Sequence, residues 1–115
     1  MEENVLLLKT YDFALRIVKL YKYLCDEHRE YTLSKQLLRS GTSIGSNSEE
    51  ASGSISKKGF RAKIFISYKE ARETRYWIRL MKDSDYLKKN MADSLLSDLN
   101  EIIKILGAIL KTVSK

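Results

Sequence analysis

Apolar residues in this chain recur at alternating steps of three and four through four separate stretches, and no proline occurs among its 115 residues. That spacing puts side chains on one face of an α-helix. A chain without proline also has no residue that removes a helical N–H or collides with the preceding turn. No stretch alternates with period two, so no strand is expected.

The first stretch, Asn4 to about Glu27, carries two parallel rows: Leu7, Tyr11, Ala14, Val18, Tyr21 and Cys25, then Leu6, Phe13, Ile17, Leu20 and Leu24. An apolar arc this wide exceeds what a surface helix needs and predicts contact with two neighbours or with another subunit. The second helix is expected to start after Thr32, as its cap, and to run through Leu33, Leu37, Leu38, Ile44 and Ala51. Its middle, Ser40 to Ser48, is rich in poor helix formers, and each interior glycine costs about 1 kcal/mol relative to alanine. Gly41, Gly45, Ser48 and Ser52 recur every three or four residues, which predicts that a second helix approaches closely there. The competing reading, a phosphate-cradling loop, is disfavoured: Ser46-Asn47 follows Gly45 where that loop needs Lys and then Ser or Thr, and no strand precedes it.

Ser56 is placed to cap a third helix, Lys57 to about Lys82, with Phe60, Ile64, Ser67, Ala71, Thr74, Ile78 and Met81 as its inward seam and Asp83-Ser84-Asp85 as its stop. Asn90 is expected to cap the fourth, whose seam is Ala92, Leu95, Leu99, Ile102, Leu106, Ile109 and Val113. Helices of this length, at 1.5 Å per residue, are about 30 to 39 Å long, and short turns make neighbours antiparallel. The expected fold is all-α: one domain over residues 1–115, an up-down-up-down antiparallel four-helix bundle.

Cys25 is the only cysteine, so no intrachain disulfide can form and no cysteine-based zinc site can assemble. Met1 to Leu8 has Glu2 and Glu3 where a signal peptide needs basic residues, and no stretch nears the roughly 20 apolar residues of a membrane span. A cytoplasmic protein without membrane contact is expected. His28, the single histidine, cannot supply a paired metal motif and reads as a cation at a helix C-terminus, so neither metal nor cofactor is expected. Glu49, Glu50, Glu70 and Glu73 read as partners in interhelical or intersubunit ion pairs, with Glu50 and Glu73 the pair an enzyme reading would need. Trp77 reads as packing.

Charge is the most uneven property of the chain. Between Lys57 and Lys82 there are nine basic residues against Glu70 and Glu73, whereas the remainder has twelve basic and thirteen acidic residues. The formal net charge of +6 therefore resides on the third helix. Lys58, Arg61, Phe65, Tyr68, Arg72, Arg75, Arg79 and Lys82 follow steps of three and four and form one stripe. Such a line of cations can meet phosphates, and its aromatics can stack on unpaired bases. The competing reading is a solvated face whose arginines pair with carboxylates on another helix or subunit.

In Ser43-Ile44-Gly45-Ser46-Asn47-Ser48-Glu49-Glu50-Ala51, Ser56-Lys57-Lys58-Gly59-Phe60 and Lys69-Glu70-Ala71-Arg72-Glu73-Thr74, with Phe13-Ala14-Leu15-Arg16 and Tyr21 before them, the chain resembles a known family. These are the small four-helix-bundle proteins associated with intervening sequences in bacterial 23S ribosomal RNA genes, and the resemblance covers about Phe13 to Leu87. It implies a ring-like homopentamer. A related branch, the accessory proteins of diversity-generating retroelements, binds nucleic acid and a reverse transcriptase through a basic outer surface. The family's structural positions fall on Asn47, Glu50, Phe60 and Glu73. Two positions depart from its pattern: Ser48 stands where isoleucine is common, and Ser54 where a basic residue is common.

The sequence thus points to a non-enzymatic homo-oligomer that binds RNA or DNA through Lys58, Arg61, Arg72, Arg75, Arg79 and Lys82. The alternative is a ring-shaped scaffold for a protein partner, without nucleic-acid contact.

Overall fold

A computed structural model describes the backbone of residues 2–114 and the side chains of residues 4–114. Met1 and the side chains of Glu2 and Glu3, on which the reading of the N-terminus drew, lie outside the described residues. Four helices follow in order: α1 (Glu2–His28), α2 (Leu33–Ser52), α3 (Lys57–Asp83) and α4 (Lys89–Val113). Among the described residues there is no strand. Connections of four or five residues force each helix to run back beside the one before it. Cross-helix contacts show the result: Ile17 meets Gly41 while Thr10 meets Gly45, and Lys82 meets Asp93 while Arg75 meets Asn100. Residue numbers rise along one helix as they fall along its partner, as an antiparallel pair requires. The helices neighbour one another in a square, α1–α2–α3–α4 and back to α1, with α1 and α4 the most loosely joined.

The core follows the expected seams closely. Leu6, Phe13, Ile17, Leu20 and Leu24 of α1 are buried, as are Ile64, Ala71, Ile78 and Met81 of α3 and Ala92, Leu95, Leu99, Ile102, Leu106 and Ile109 of α4. Phe60 and Val113 pack half-buried at the ends. The other α1 row is only partly covered: its Tyr11 is 61% exposed, and Leu8 and Leu15 beside it are 65% and 47% exposed. Among the described residues no helix is long and apolar enough to cross a membrane.

The small residues of α2 do not form one seam. Gly41 and Gly45 face α1, against Ile17 and Thr10, whereas Ser48 turns to α3, where its hydroxyl lies 2.9 Å from that of Ser67. Ser52 is exposed. Because α2 sits between two neighbours, positions three or four apart straddle its buried centre at Ile44, and each side needs its own close approach. Toward α3 the approach is polar: Thr74 donates to Ser40 at 2.9 Å, and Ser67 donates to the Ile44 carbonyl at 2.8 Å. Among the described residues no buried side-chain donor or acceptor lacks a partner, which lets hydroxyls occupy a core that would otherwise penalise them.

Two expected caps are corrected. Ser56 does cap α3, accepting from the Gly59 N–H at 2.9 Å. Thr32, however, has helical backbone angles and makes no side-chain cap. Glu30 does that work from two residues earlier, accepting from the N–H groups of Thr32, Leu33 and Ser34 at 3.2, 3.1 and 2.7 Å. At α4 the helix starts at Lys89, and Asn90 lies inside it, accepting only from Met91 N–H.

The Glu30 cap is a pH-dependent one. Partial burial opposes its charge, but hydrogen bonds from Ser34, Leu33 and Thr32 outweigh that and hold its carboxyl below the ordinary 4.5. A carboxyl depressed in the folded state contributes stability above its unfolded value and loses it as pH falls through the folded one. Glu30→Ala should therefore cost about 1 kcal/mol in urea unfolding near neutral pH, and the gap from the parent chain should close as the pH is taken below 4.5. A gap independent of pH would show that the carboxylate does not cap α2.

Candidate nucleic-acid interface

The basic stripe of α3 resolves into two rows of seven-residue period. Arg61, Tyr68, Arg75 and Lys82 lean on α4, where Ser114, Gly107, Asn100 and Asp93 face them in antiparallel register. Arg61 Nε donates to Ser114 Oγ at 3.1 Å, Tyr68 lies against Gly107, Arg75 donates to Asn100 Oδ1 at 3.4 Å, and Lys82 Nζ pairs with Asp93 at 2.9 Å. Tyr68, Arg75 and Lys82 are half-buried. Hydrogen bonds from Lys89 and Lys82 hold the Asp93 carboxyl below its usual range, so Lys82 is already engaged.

Lys58, Phe65, Arg72 and Arg79 form the second row and point outward, all exposed. Among the described residues none of these three cations has a carboxylate partner within ion-pair distance. From Lys58 to Arg79 the row spans 21 residues, about 32 Å at the helical rise. Two exposed residues that the sequence stripe omitted, Lys69 and Tyr76, stand one step further around the same face. Lys69 Nζ lies 5.3 Å from the Phe65 ring centroid, and Arg72 Cζ 5.9 Å from that of Tyr68. On α4, Lys104 and Lys111 follow Asn100 and Gly107 by one turn each and are exposed. The signal for these additions was present once the inward seam fixed the phase of the helix. A stripe drawn at 3.5 residues per turn runs along the α4 flank rather than straight outward, because each helix turns every 3.6.

The other singled-out residues serve the frame. Asn47 Nδ2 donates to the Ser43 carbonyl and hydroxyl, both at 2.9 Å, within its own helix. Glu50 pairs with Lys63 of α3 at 2.8 Å. Glu73 accepts from Arg39 and from Trp77 Nε1 at 2.9 Å, while Glu70 accepts from the same arginine, also at 2.9 Å. Glu50 and Glu73 are therefore not a dyad. Their α3 positions, Lys63 and Glu73, lie ten residues apart, about 15 Å along the axis. His28 ends α1 and sits 3.3 Å from the Tyr23 hydroxyl.

Known proteins share this geometry. The family model for the 23S rRNA-intervening sequence protein matches residues 2–108. The chain belongs to that family. Among solved structures, the bundle is similar to a protein of unknown function from the S23 ribosomal protein family of Bacteroides thetaiotaomicron, at 45% identity and a TM-score of 0.95, with 96% of this chain and 99% of that one covered. No curated protein matches. The match of the 23S rRNA-intervening sequence protein family takes in α1 to α3 and most of α4, so both rows of α3 and their α4 partners fall within it up to residue 108.

Proposed function

We propose that this member of the 23S rRNA-intervening sequence protein family is a non-enzymatic, cytoplasmic homo-oligomer that holds RNA or DNA along the outward face of α3. The observation that carries the reading is the row Lys58, Arg72 and Arg79, exposed and without carboxylate partners among the described residues, with Phe65, Lys69 and Tyr76 interleaved. Cations left free by the fold are free to neutralise phosphates. Aromatic faces among them favour unpaired bases over duplex.

Oligomer formation is supported by α1, whose Leu8, Tyr11 and Leu15 expose an apolar row too long to leave in water without purpose. The family resemblance implies a pentameric ring. The same row favours the second reading, a ring that serves as a platform for a protein partner, with α3 against a neighbouring subunit.

A salt titration tests the first reading. Binding of a hairpin RNA with a single-stranded loop, followed by fluorescence anisotropy, should weaken by at least about 60-fold between 50 and 200 mM salt, with a log–log slope of about −3 or steeper. Absence of binding at 50 mM salt, or affinity flat across the range, would sink it.

A further inference from the structure

At the end of the bundle where α1 and α3 finish and α4 begins lies a cavity of about 540 Å³. Sites for small molecules commonly span about 300 to 1,000 Å³. Three aromatic rings line it. His28 stands edge-on between Tyr23 and Tyr86, with centroids 5.4 and 5.6 Å away and ring planes inclined by 73° and 83°. Buried Leu87 adds an apolar surface. A cluster of rings over an apolar patch suits a flat heterocycle, which gains from stacking and from leaving water.

Charge refines the class of ligand. Lys82 and Lys89 share Asp93, at 2.9 and 2.8 Å, and are spoken for. Lys88, exposed along the lining, has no carboxylate partner among the described residues and is free to meet one phosphate. Asp83 and Asp85 also line the cavity. Their carboxylates accept hydrogen bonds from an exocyclic amine, as adenine offers, while their charge opposes a run of phosphates through the site. The ligand is then a single nucleotide rather than a threaded strand. Arg79, the last cation of the outward row, precedes Lys82 by three residues, about 4.5 Å along the helix. A strand lying on α3 would arrive with its end at this cavity.

We propose that the cavity formed by Tyr23, His28 and Tyr86 receives one unpaired, amino-bearing nucleotide at the end of a strand held on α3. The proposal rests on the reading of α3 as a nucleic-acid face.

His28 is the only histidine, so its ring C–H signals in an NMR spectrum report on this cavity without ambiguity. Titrating the intact protein with AMP should shift those signals saturably, and ribose 5-phosphate should not. Tyr86→Ala should weaken AMP by at least about fivefold, the lower end of what one stacked base contributes. An oligonucleotide of about eight residues ending in an unpaired adenosine should bind more tightly than the same strand ending in an abasic site. Tyr86→Ala should abolish that difference, and His28→Ala, at an exposed position, should reduce it if the tyrosine change unfolds the chain. Signals unmoved by AMP, or moved as far by ribose 5-phosphate, overturn the proposal. If AMP fails while charge reversal on α3 still weakens the oligonucleotide, the cavity is wrong and the α3 reading stands. If AMP binds while that reversal has no effect, the α3 reading fails and the cavity stands as a nucleotide site on its own.

Discussion

Gly41→Val should cost about 2 to 3 kcal/mol of folding stability, the clash of an overpacked core with little propensity gain to offset it. A Cβ at position 41 would lie 2.8 and 2.9 Å from the two γ carbons of Ile17 and 3.2 Å from its δ carbon. Ile17 cannot move aside easily: it is fully buried, and branching at its β carbon restricts χ1. Even Gly41→Ala, which gains about 1 kcal/mol in helix propensity, should come out destabilising. Gly45 is the internal control. Its Cβ would meet Thr10 atoms at 3.4 to 3.5 Å, ordinary contact, so Gly45→Ala should be neutral or stabilising by up to about 1 kcal/mol. Urea unfolding of the two alanine variants separates the cases. Equal stability of both would mean that α1 and α2 do not meet at Gly41. Ile17→Ala combined with Gly41→Val should cost less than the two changes summed, since the smaller side chain vacates the space that valine enters.

That contrast marks where the sequence is legible. The period of the apolar residues reveals each helix and most of its buried face, because burial is a local pattern repeated every turn. It also shows that the poor helix formers of α2 need a compensating contact. It does not say which of two neighbours each small residue faces, since Gly41 and Ser48 share a spacing and differ only in what crosses above them. The caps at Thr32 and Asn90 failed for a related reason. Glu30 outcompetes Thr32 because a longer side chain reaches three N–H groups two to four residues ahead, a geometry set by the path of the connection.

The candidate interface was legible in charge but not in phase. All six cations expected to meet nucleic acid lie on α3, yet Arg61, Arg75 and Lys82 face Ser114, Asn100 and Asp93 of α4. Their positions in sequence are as regular as those of Lys58, Arg72 and Arg79. Only the direction in which α4 packs distinguishes the two rows, and that is a tertiary fact.

The two rows give the second large effect its control. Reversing Lys58, Arg72 and Arg79 together to glutamate should weaken nucleic-acid binding by at least about 100-fold at 50 mM salt and flatten the log–log salt slope by about 2 to 3, one for each phosphate that is no longer neutralised. Stability should change little, because the three side chains are exposed and break no ion pair among the described residues. Reversing Arg75 and Lys82 instead puts carboxylates against Asn100 and Asp93, so the fold should suffer there, with repulsion at Asp93 where Lys82 now helps hold the charge. Anisotropy and unfolding curves on both variants, with mass from light scattering, read out all three quantities. If the outward reversal leaves affinity intact but dissociates the oligomer, α3 is a subunit seam and the protein-scaffold reading prevails, because a face buried between subunits has no cations to offer a phosphate.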